Sequence, residues 1–324
     1  MIQVLSVTFP FFALVLAGYL AARRHMLPLD AIPGLNSFVL FFALPCMLYR
    51  FGASTPLAQL LDGALFFTYL FCALVMVGFV VAVSMNRRIG WNDAAFGALV
   101  AAFPNTGFMG VPLLVALLGA AAAGPAILTI LVDMLITTSL CVALSRLDGS
   151  DKRGFSHAAG QALRGVLGNP MPWSIVLGGV ASAVQLELPE PVAQTVTLLA
   201  DAASPVALFT IGAVLARAQL RAAPAGTRAM PLRDYVPVAV IKLLVHPLLV
   251  LLAGTAAIQL GVPLDRFALT AAVLVAALPS ASNVSMLAEK FGADNGRIAR
   301  IILVSTAASF LSFSAAVSLL VGKP

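Results

Sequence analysis

Ala101-Ala102-Phe103-Pro104-Asn105-Thr106-Gly107 lies inside an uncharged run from Ala94 to Leu118. Ala276-Ala277-Leu278-Pro279-Ser280-Ala281-Ser282-Asn283 lies inside a second, from Phe267 to Ala288. Each run is long enough to cross a bilayer, and each carries a proline and a polar cluster near its middle. Proline in a helix interior removes a hydrogen bond and clashes with the preceding turn. In lipid such a break survives only where the freed backbone is buried in protein or lines a cavity. Two breaks at corresponding places in two halves of a chain point to the binding site of a transporter.

Composition agrees. The 324 residues are 61% hydrophobic and 10% charged, against roughly 25% charged in soluble domains. Apolar stretches of about 20 residues recur along the chain, so it reads as an all-α polytopic membrane protein. The apolar residues come in blocks without alternation, which excludes a transmembrane β-barrel. Cys46, Cys72 and Cys141 all fall in apolar segments; they read as buried hydrophobes, without metal or disulfide spacing. Neither a cofactor nor a metal is expected. The N-terminus enters an apolar segment with no basic leader and reads as a retained first helix. The net charge of +6 is spread over short loops, which argues for membrane topology and against nucleic acid.

Ten spans can be placed, at about 4–22, 33–51, 64–84, 94–118, 124–146, 170–186, 193–216, 236–259, 267–288 and 298–321. With the N-terminus outside, 15 of the 19 Lys and Arg fall in inner loops, while Arg50, Arg266 and Lys323 fall outside and Lys242 lies within a span. The positive-inside rule therefore places both termini on the outer side, the periplasmic face of a bacterial plasma membrane. The longest polar stretch, 147–169, contains Asp148-Gly-Ser-Asp-Lys-Arg. It separates a first five-helix repeat (1–146) from a second (170–324). Because five is odd, the second repeat enters the membrane from the opposite side.

The halves echo each other. Span 2 contains Ala43-Leu44-Pro45 and span 7 Ala203-Ser204-Pro205, while spans 4 and 9 share the Ala-Ala-(Phe/Leu)-Pro-(Asn/Ser) break. A broken helix presents free N–H groups and a partial positive charge at the start of its second half. Asn105 and Thr106 are N-cap candidates in span 4, with Ser280, Ser282 and Asn283 their equivalents in span 9. Where two such ends converge, a carboxylate can bind without an arginine. Pro104, Asn105, Thr106, Gly107, Pro279, Ser280, Ser282 and Asn283 are the expected substrate-binding residues. Gly107 and Gly110 would permit close approach.

Pro104-Asn-Thr-Gly-Phe-Met-Gly-Val-Pro-Leu-Leu114 and Leu278-Pro-Ser-Ala-Ser-Asn-Val284 resemble the crossover helices of the auxin efflux carrier family. Phe41-Phe-Ala-Leu-Pro45 and Ser305-Thr-Ala-Ala-Ser309 are also similar to its pattern. The resemblance covers essentially the whole chain. It implies a fold shared with bile-acid symporters and sodium/proton antiporters. That fold has a scaffold of spans 1, 2, 6 and 7 and a transport domain of spans 3–5 and 8–10, with Asn105 and Asn283 at the substrate. Bacterial members are associated with malonate and similar carboxylates. The long central hydrophilic loop of the plant carriers is missing, so auxin itself is not the expected substrate.

Ionisable residues within spans are costly and face a cavity or a partner. Asp133 (span 5), Asp201 (span 7) and Lys242 (span 8) are the coupling-ion candidates. Thr129 and Thr137 share a helix face with Asp133. Asp201 also reads as a half-helix cap, and Lys242 is close enough to a span end to snorkel. The Ser and Thr of span 10, from Ser305 to Ser312, read as packing contacts between helices. The expected function is secondary transport of a small organic anion by alternating access of the elevator type. A proton or sodium ion is the expected coupling ion, the lipid bilayer the environment, and a homodimer is allowed. The nearest rival is a sodium/proton-type antiporter. An intramembrane hydrolase using Ser280 or Ser282 with His246 is disfavoured, because no Gly-x-Ser-x-Gly elbow surrounds either serine.

Overall fold

The computed structural model describes residues 2–56, 61–147, 160, 168–221 and 230–321. The polar stretch expected to join the two halves lies mostly outside the described residues, as does part of the basic loop after span 7. Every regular element among the described residues is helical. We number the principal helices α1 (Ile2–Arg23), α2 (Ile32–Ser54), α3 (Gly63–Ser84), α4 (Trp91–Ala102), α5 (Thr106–Leu118) and α6 (Ala120–Leu144). They continue with α7 (Pro170–Ala183), α8 (Glu190–Arg221), α9 (Val236–Gln259), α10 (Arg266–Ala277), α11 (Val284–Lys290) and α12 (Asn295–Leu320).

Seven of these (α1, α2, α3, α6, α8, α9 and α12) are long and apolar enough to cross a membrane. The other three expected spans differ, for visible reasons. Spans 4 and 9 are each split in two, α4 from α5 and α10 from α11. The helix α7 has 14 residues, about 21 Å at 1.5 Å per residue, short of a hydrocarbon core of about 30 Å.

Caps start several of these helices. Asp62 accepts from Leu65 N, Asp265 from Ala268 N, Asp294 from Arg297 N and Asn169 from Met171 N, each at 2.9–3.0 Å. Prolines shape their interiors. Three π-helical turns, Val39–Ala43, Thr106–Gly110 and Ile241–Val245, each stand two residues before a proline (Pro45, Pro112, Pro247). The ring excludes the normal carbonyl and leaves no N–H to bond it, so the turn widens. A fourth, Val132–Thr137, has no proline. There the Asp133 carbonyl accepts both the backbone N–H of Thr138 and, at 2.8 Å, its Oγ1.

Two sets of helices pack mainly among themselves. α1 lies along α8, and α2 along α7 and α8, while α3, α4, α6, α9, α10, α11 and α12 form the rest of the body. The first set rests on glycines. A Cβ on Gly18 would overlap the backbone of Phe209, and one on Gly212 would overlap that of Val15. Gly52 and Gly178 meet in the same way, the Cα of Gly178 lying 3.3 Å from a Cβ built on Gly52. These contacts repeat in register: Gly18 and Gly178, Pro45 and Pro205, and Gly52 and Gly212 are each 160 residues apart. Exchanging α1 for α7 and α2 for α8 maps one glycine crossing onto the other.

At one end of the second set, buried Arg297 ties three helix starts together. Its Nε bonds the Asp234 carbonyl at 2.7 Å and its Nη1 the Asp93 carbonyl at 2.8 Å, while Asp294 N–H donates to Asp93 Oδ1 at 2.7 Å.

Candidate functional site: two facing helix breaks

The breaks in spans 4 and 9 lie against each other. After α4 the chain turns extended at Phe103, and after α10 at Leu278. The two segments run antiparallel and bridge at Pro104 and Ser280. Asn105 N–H donates to the Pro279 carbonyl at 2.8 Å, and Ala281 N–H to the Phe103 carbonyl at 3.0 Å. In this register the bonds fall on the flanking residues, so the missing N–H of Pro104 is never required. The N–H of Ser280, left out of the bridge, donates to Ser305 Oγ at 3.2 Å.

The polar residues expected here are brought together and buried: Asn105 is 2% exposed, Thr106 0%, Ser280 1% and Ser282 7%. Asn283 is half-buried. Gly110 does permit a close approach, because a Cβ there would come within 2.5 Å of Leu278 Cδ1 on the opposite break. Gly107 faces Met171 Cε, 3.1 Å from where a Cβ would sit.

The expected capping does not occur. Asn105 and Asn283 occupy N-cap positions, but neither side chain makes a capping bond. The N–H groups of Asn105 and Thr106 bond the carbonyls of Pro279 and Pro104, each at 2.8 Å. Instead Asn105 Oδ1, Thr106 Oγ1, Ser280 Oγ and Asn283 Oδ1 are buried without a partner. A buried polar atom left unpaired costs about 1–3 kcal/mol, so four beside one bridge are a concentration that calls for an explanation. A cleft of about 550 Å³ reaches Ser282 between α2, α8, α11 and α12, with Asn36, Arg217, Ser285, Glu289 and Asn295 also on its wall.

A second polar cluster is buried beside α10. Asp133 accepts from Tyr69 Oη at 3.0 Å and from Thr137 Oγ1 at 3.2 Å. Lys242 Nζ donates to the Ala276 carbonyl at 2.7 Å and lies 3.0 Å from His246 Nδ1. Lys242 is 0% exposed and does not snorkel; the backbone at the end of α10 holds its Nζ inward. Thr129 turns back to the Ala126 carbonyl and does not join Asp133. Asp201 stands apart: its carboxylate is 62% exposed and pairs with Arg50 at 2.6 Å. It lies in the interior of α8, where there is no half-helix to cap.

Two participants were not foreseen. Tyr69 looks like one more aromatic in an apolar run, and nothing in its spacing marks it. Ser305 was read as a packing residue and instead serves the second break. The 160-residue glycine register was present in the sequence, but it means little until the helices are seen to touch at those glycines. No group of three or more His, Cys, Asp or Glu able to hold a metal occurs among the described residues.

A multi-pass helical membrane protein with a polar, cleft-accessible break at its core belongs to the class of membrane transporters. The chain is a member of the family described as membrane transport protein, the auxin efflux carrier family, whose model matches residues 3–317. It is 30% identical over 307 residues to a Rhizobium meliloti protein named Putative malonate transporter, covering 94% of this chain and 92% of that one. It is 26% identical over 298 residues to the uncharacterized transporter YfdV of Escherichia coli K12, covering 87% and 86%. A Methanothermobacter thermautotrophicus uncharacterized transporter is 25% identical over 301 residues, 92% of each chain.

Proposed function

We propose that this transporter carries a small organic anion, a carboxylate, bound where the breaks of spans 4 and 9 cross. The carrying observation is the set of polar side chains held around a backbone bridge: the buried, unpartnered hydroxyls of Thr106 and Ser280, which can donate to a carboxylate, and the amides of Asn105 and Asn283, whose Oδ1 atoms are unpartnered acceptors and whose Nδ2 groups are donors. Hydroxyls and amides there can donate to a carboxylate, and the half-helices α5 and α11 direct the positive ends of their dipoles toward the breaks. The neutral character of these residues favours an organic ligand over a bare cation. The relative named for malonate transport supports a short carboxylate.

Under this reading the chain has ten spans in a five-plus-five inverted repeat, with both termini on the outer face. The glycine crossings repeated at 160 residues support the repeat. The α1, α2, α7 and α8 group serves as scaffold, and the remaining helices carry the site past it, elevator fashion. The cleft that reaches Ser282 is the route to one face. Its walls come from both groups, so a sliding movement would close it.

Counterflow in liposomes tests this. Liposomes containing the purified protein and preloaded with unlabelled malonate should accumulate labelled malonate transiently and saturably, and Asn105→Ala should lose it. Equal counterflow in that variant sinks the proposed site, and ester or peptide cleavage without exchange sinks the carrier.

A further inference from the structure

The cluster beside α10 is closed to water. Tyr69, Asp133, Lys242 and His246 are 0% exposed and Thr137 1%. It is continuous: the Tyr69 and His246 rings lie 6.1 Å apart, joining the Asp133 side to the Lys242 side. Both charged residues sit on π-helical turns, Val132–Thr137 and Ile241–Val245, a feature frequent at functional sites. Cys72 on α3 and Cys141 on α6 are the further titratable groups in its electrostatic reach. α4 and α12 also pack on these turns. Their ionisable residues are committed near the helix starts, Arg297 to the carbonyls of Asp234 and Asp93, and Arg300 over the Tyr235 ring.

This geometry discriminates between coupling ions. A hard cation needs several oxygen ligands. Here each carboxylate oxygen of Asp133 already accepts an O–H, and the nearby Lys242 Nζ, bonded to the Ala276 carbonyl, brings no oxygen ligand. A proton needs only a carboxylate oxygen. Its arrival also changes the site. Protonation removes the carboxylate's negative charge from a cluster whose Lys242 Nζ bonds the Ala276 carbonyl, three residues before Pro279. Loss of that negative charge favours an anion at the crossing, and by linkage the anion favours the proton in return.

We infer that Asp133, held by Tyr69 and Thr137, is where a proton binds together with the transported anion, so that the coupling ion is a proton and not sodium. The inference rests on the carrier reading above. The proton adds to a carboxylate oxygen of Asp133 from water on one side of the membrane and returns to water on the other.

The test uses the purified full chain. Infrared titration should show a protonated-carboxyl band that is absent in Asp133→Asn and has a displaced midpoint in Tyr69→Phe. Malonate affinity, measured by calorimetry, should rise about tenfold per pH unit above that midpoint as pH falls, then level off below it. In Asp133→Asn, which mimics the protonated group, affinity should stay at the low-pH value at every pH. A structural role for Asp133 predicts no such loss of pH dependence. A band unchanged in Asp133→Asn, a variant affinity that follows pH as the wild type does, or affinity that requires sodium overturns the inference. If Asp133→Asn fails to fold, an unmoved midpoint in Tyr69→Phe overturns it. Malonate counterflow without a titrating Asp133 removes the proton site and leaves the carrier. A titrating Asp133 with no binding or exchange of any short carboxylate removes the carrier, and the coupling with it.

Discussion

The backbone N–H of Asn105 donates to the carbonyl of Pro279, 174 residues away, at 2.8 Å. Each interruption is thus completed by the other. A broken helix in a membrane must have its freed backbone groups satisfied within the protein. The pairing of Phe103–Asn105 with Pro279–Ala281 meets part of that need and leaves the Asn105 and Ser280 side chains out of the bridge.

Asn105→Ala and Asn283→Ala each remove an amide whose Nδ2 can donate to a carboxylate, along with a buried, unpartnered Oδ1. Loss of the backbone bridge is not expected, because the bridge uses main-chain atoms. Both variants should reach the membrane folded, with malonate affinity reduced at least about tenfold, the equivalent of one lost hydrogen bond to a charged group. Calorimetric titration beside a thermal melt checks both halves of the expectation.

Gly110→Val would drive a branched side chain into Leu278 and separate the breaks. Overpacking of this kind costs about 1–3 kcal/mol. Transport should fall further than stability, and Gly110→Ala should lie between the wild type and the valine variant. Uptake rates normalised to folded protein would reveal whether that order holds.

Gly18→Val and Gly212→Val act at a different place, where α1 and α8 touch through backbone. Neither side chain can be accommodated without moving a helix. Both should lower the melting temperature and the yield of monodisperse protein. Gly52→Val and Gly178→Val should do the same at the α2–α7 crossing. Gly34→Val, where a Cβ meets nothing within 4 Å, is the control.

Ser305→Ala removes the acceptor of the Ser280 N–H. Leaving that buried donor unpaired should cost about 1–3 kcal/mol, and Ser305→Thr should restore most of it. Thermal melts of the two variants give the comparison. Unchanged stability in the alanine variant would mean that Ser280 finds another partner.

Asp201→Asn should leave transport unaltered. The Arg50–Asp201 pair is largely exposed, at 36% and 62% of the two side chains, and exposed pairs contribute about 0–1 kcal/mol. A large loss of malonate uptake would return Asp201 to the functional residues.

Much of this was legible beforehand because lipid constrains a chain so tightly. Long uncharged runs must be helices, and a proline with polar neighbours inside one must be buried in protein or face a cavity. Pro104 and Pro279 were therefore readable as a pair. What each side chain does there was less so. Asn105 occupies an N-cap position, but its side chain makes no capping bond and its backbone N–H is given to the opposite break. Lys242 looked free to reach the headgroups, but it is held by a carbonyl 34 residues away. Asp201 looked like an intramembrane charge until Arg50 was found beside it.

The sequence by itself determined the class of protein, the membrane environment, the location of both breaks and the family. These follow from hydropathy, proline chemistry and local motif, all short-range properties of the chain. Only the tertiary structure decided which polar groups are paired, because pairing depends on atoms brought together from distant segments. It joined Tyr69 to Asp133 and Ser305 to Ser280, and it left the Asn105 and Asn283 amide oxygens unsatisfied.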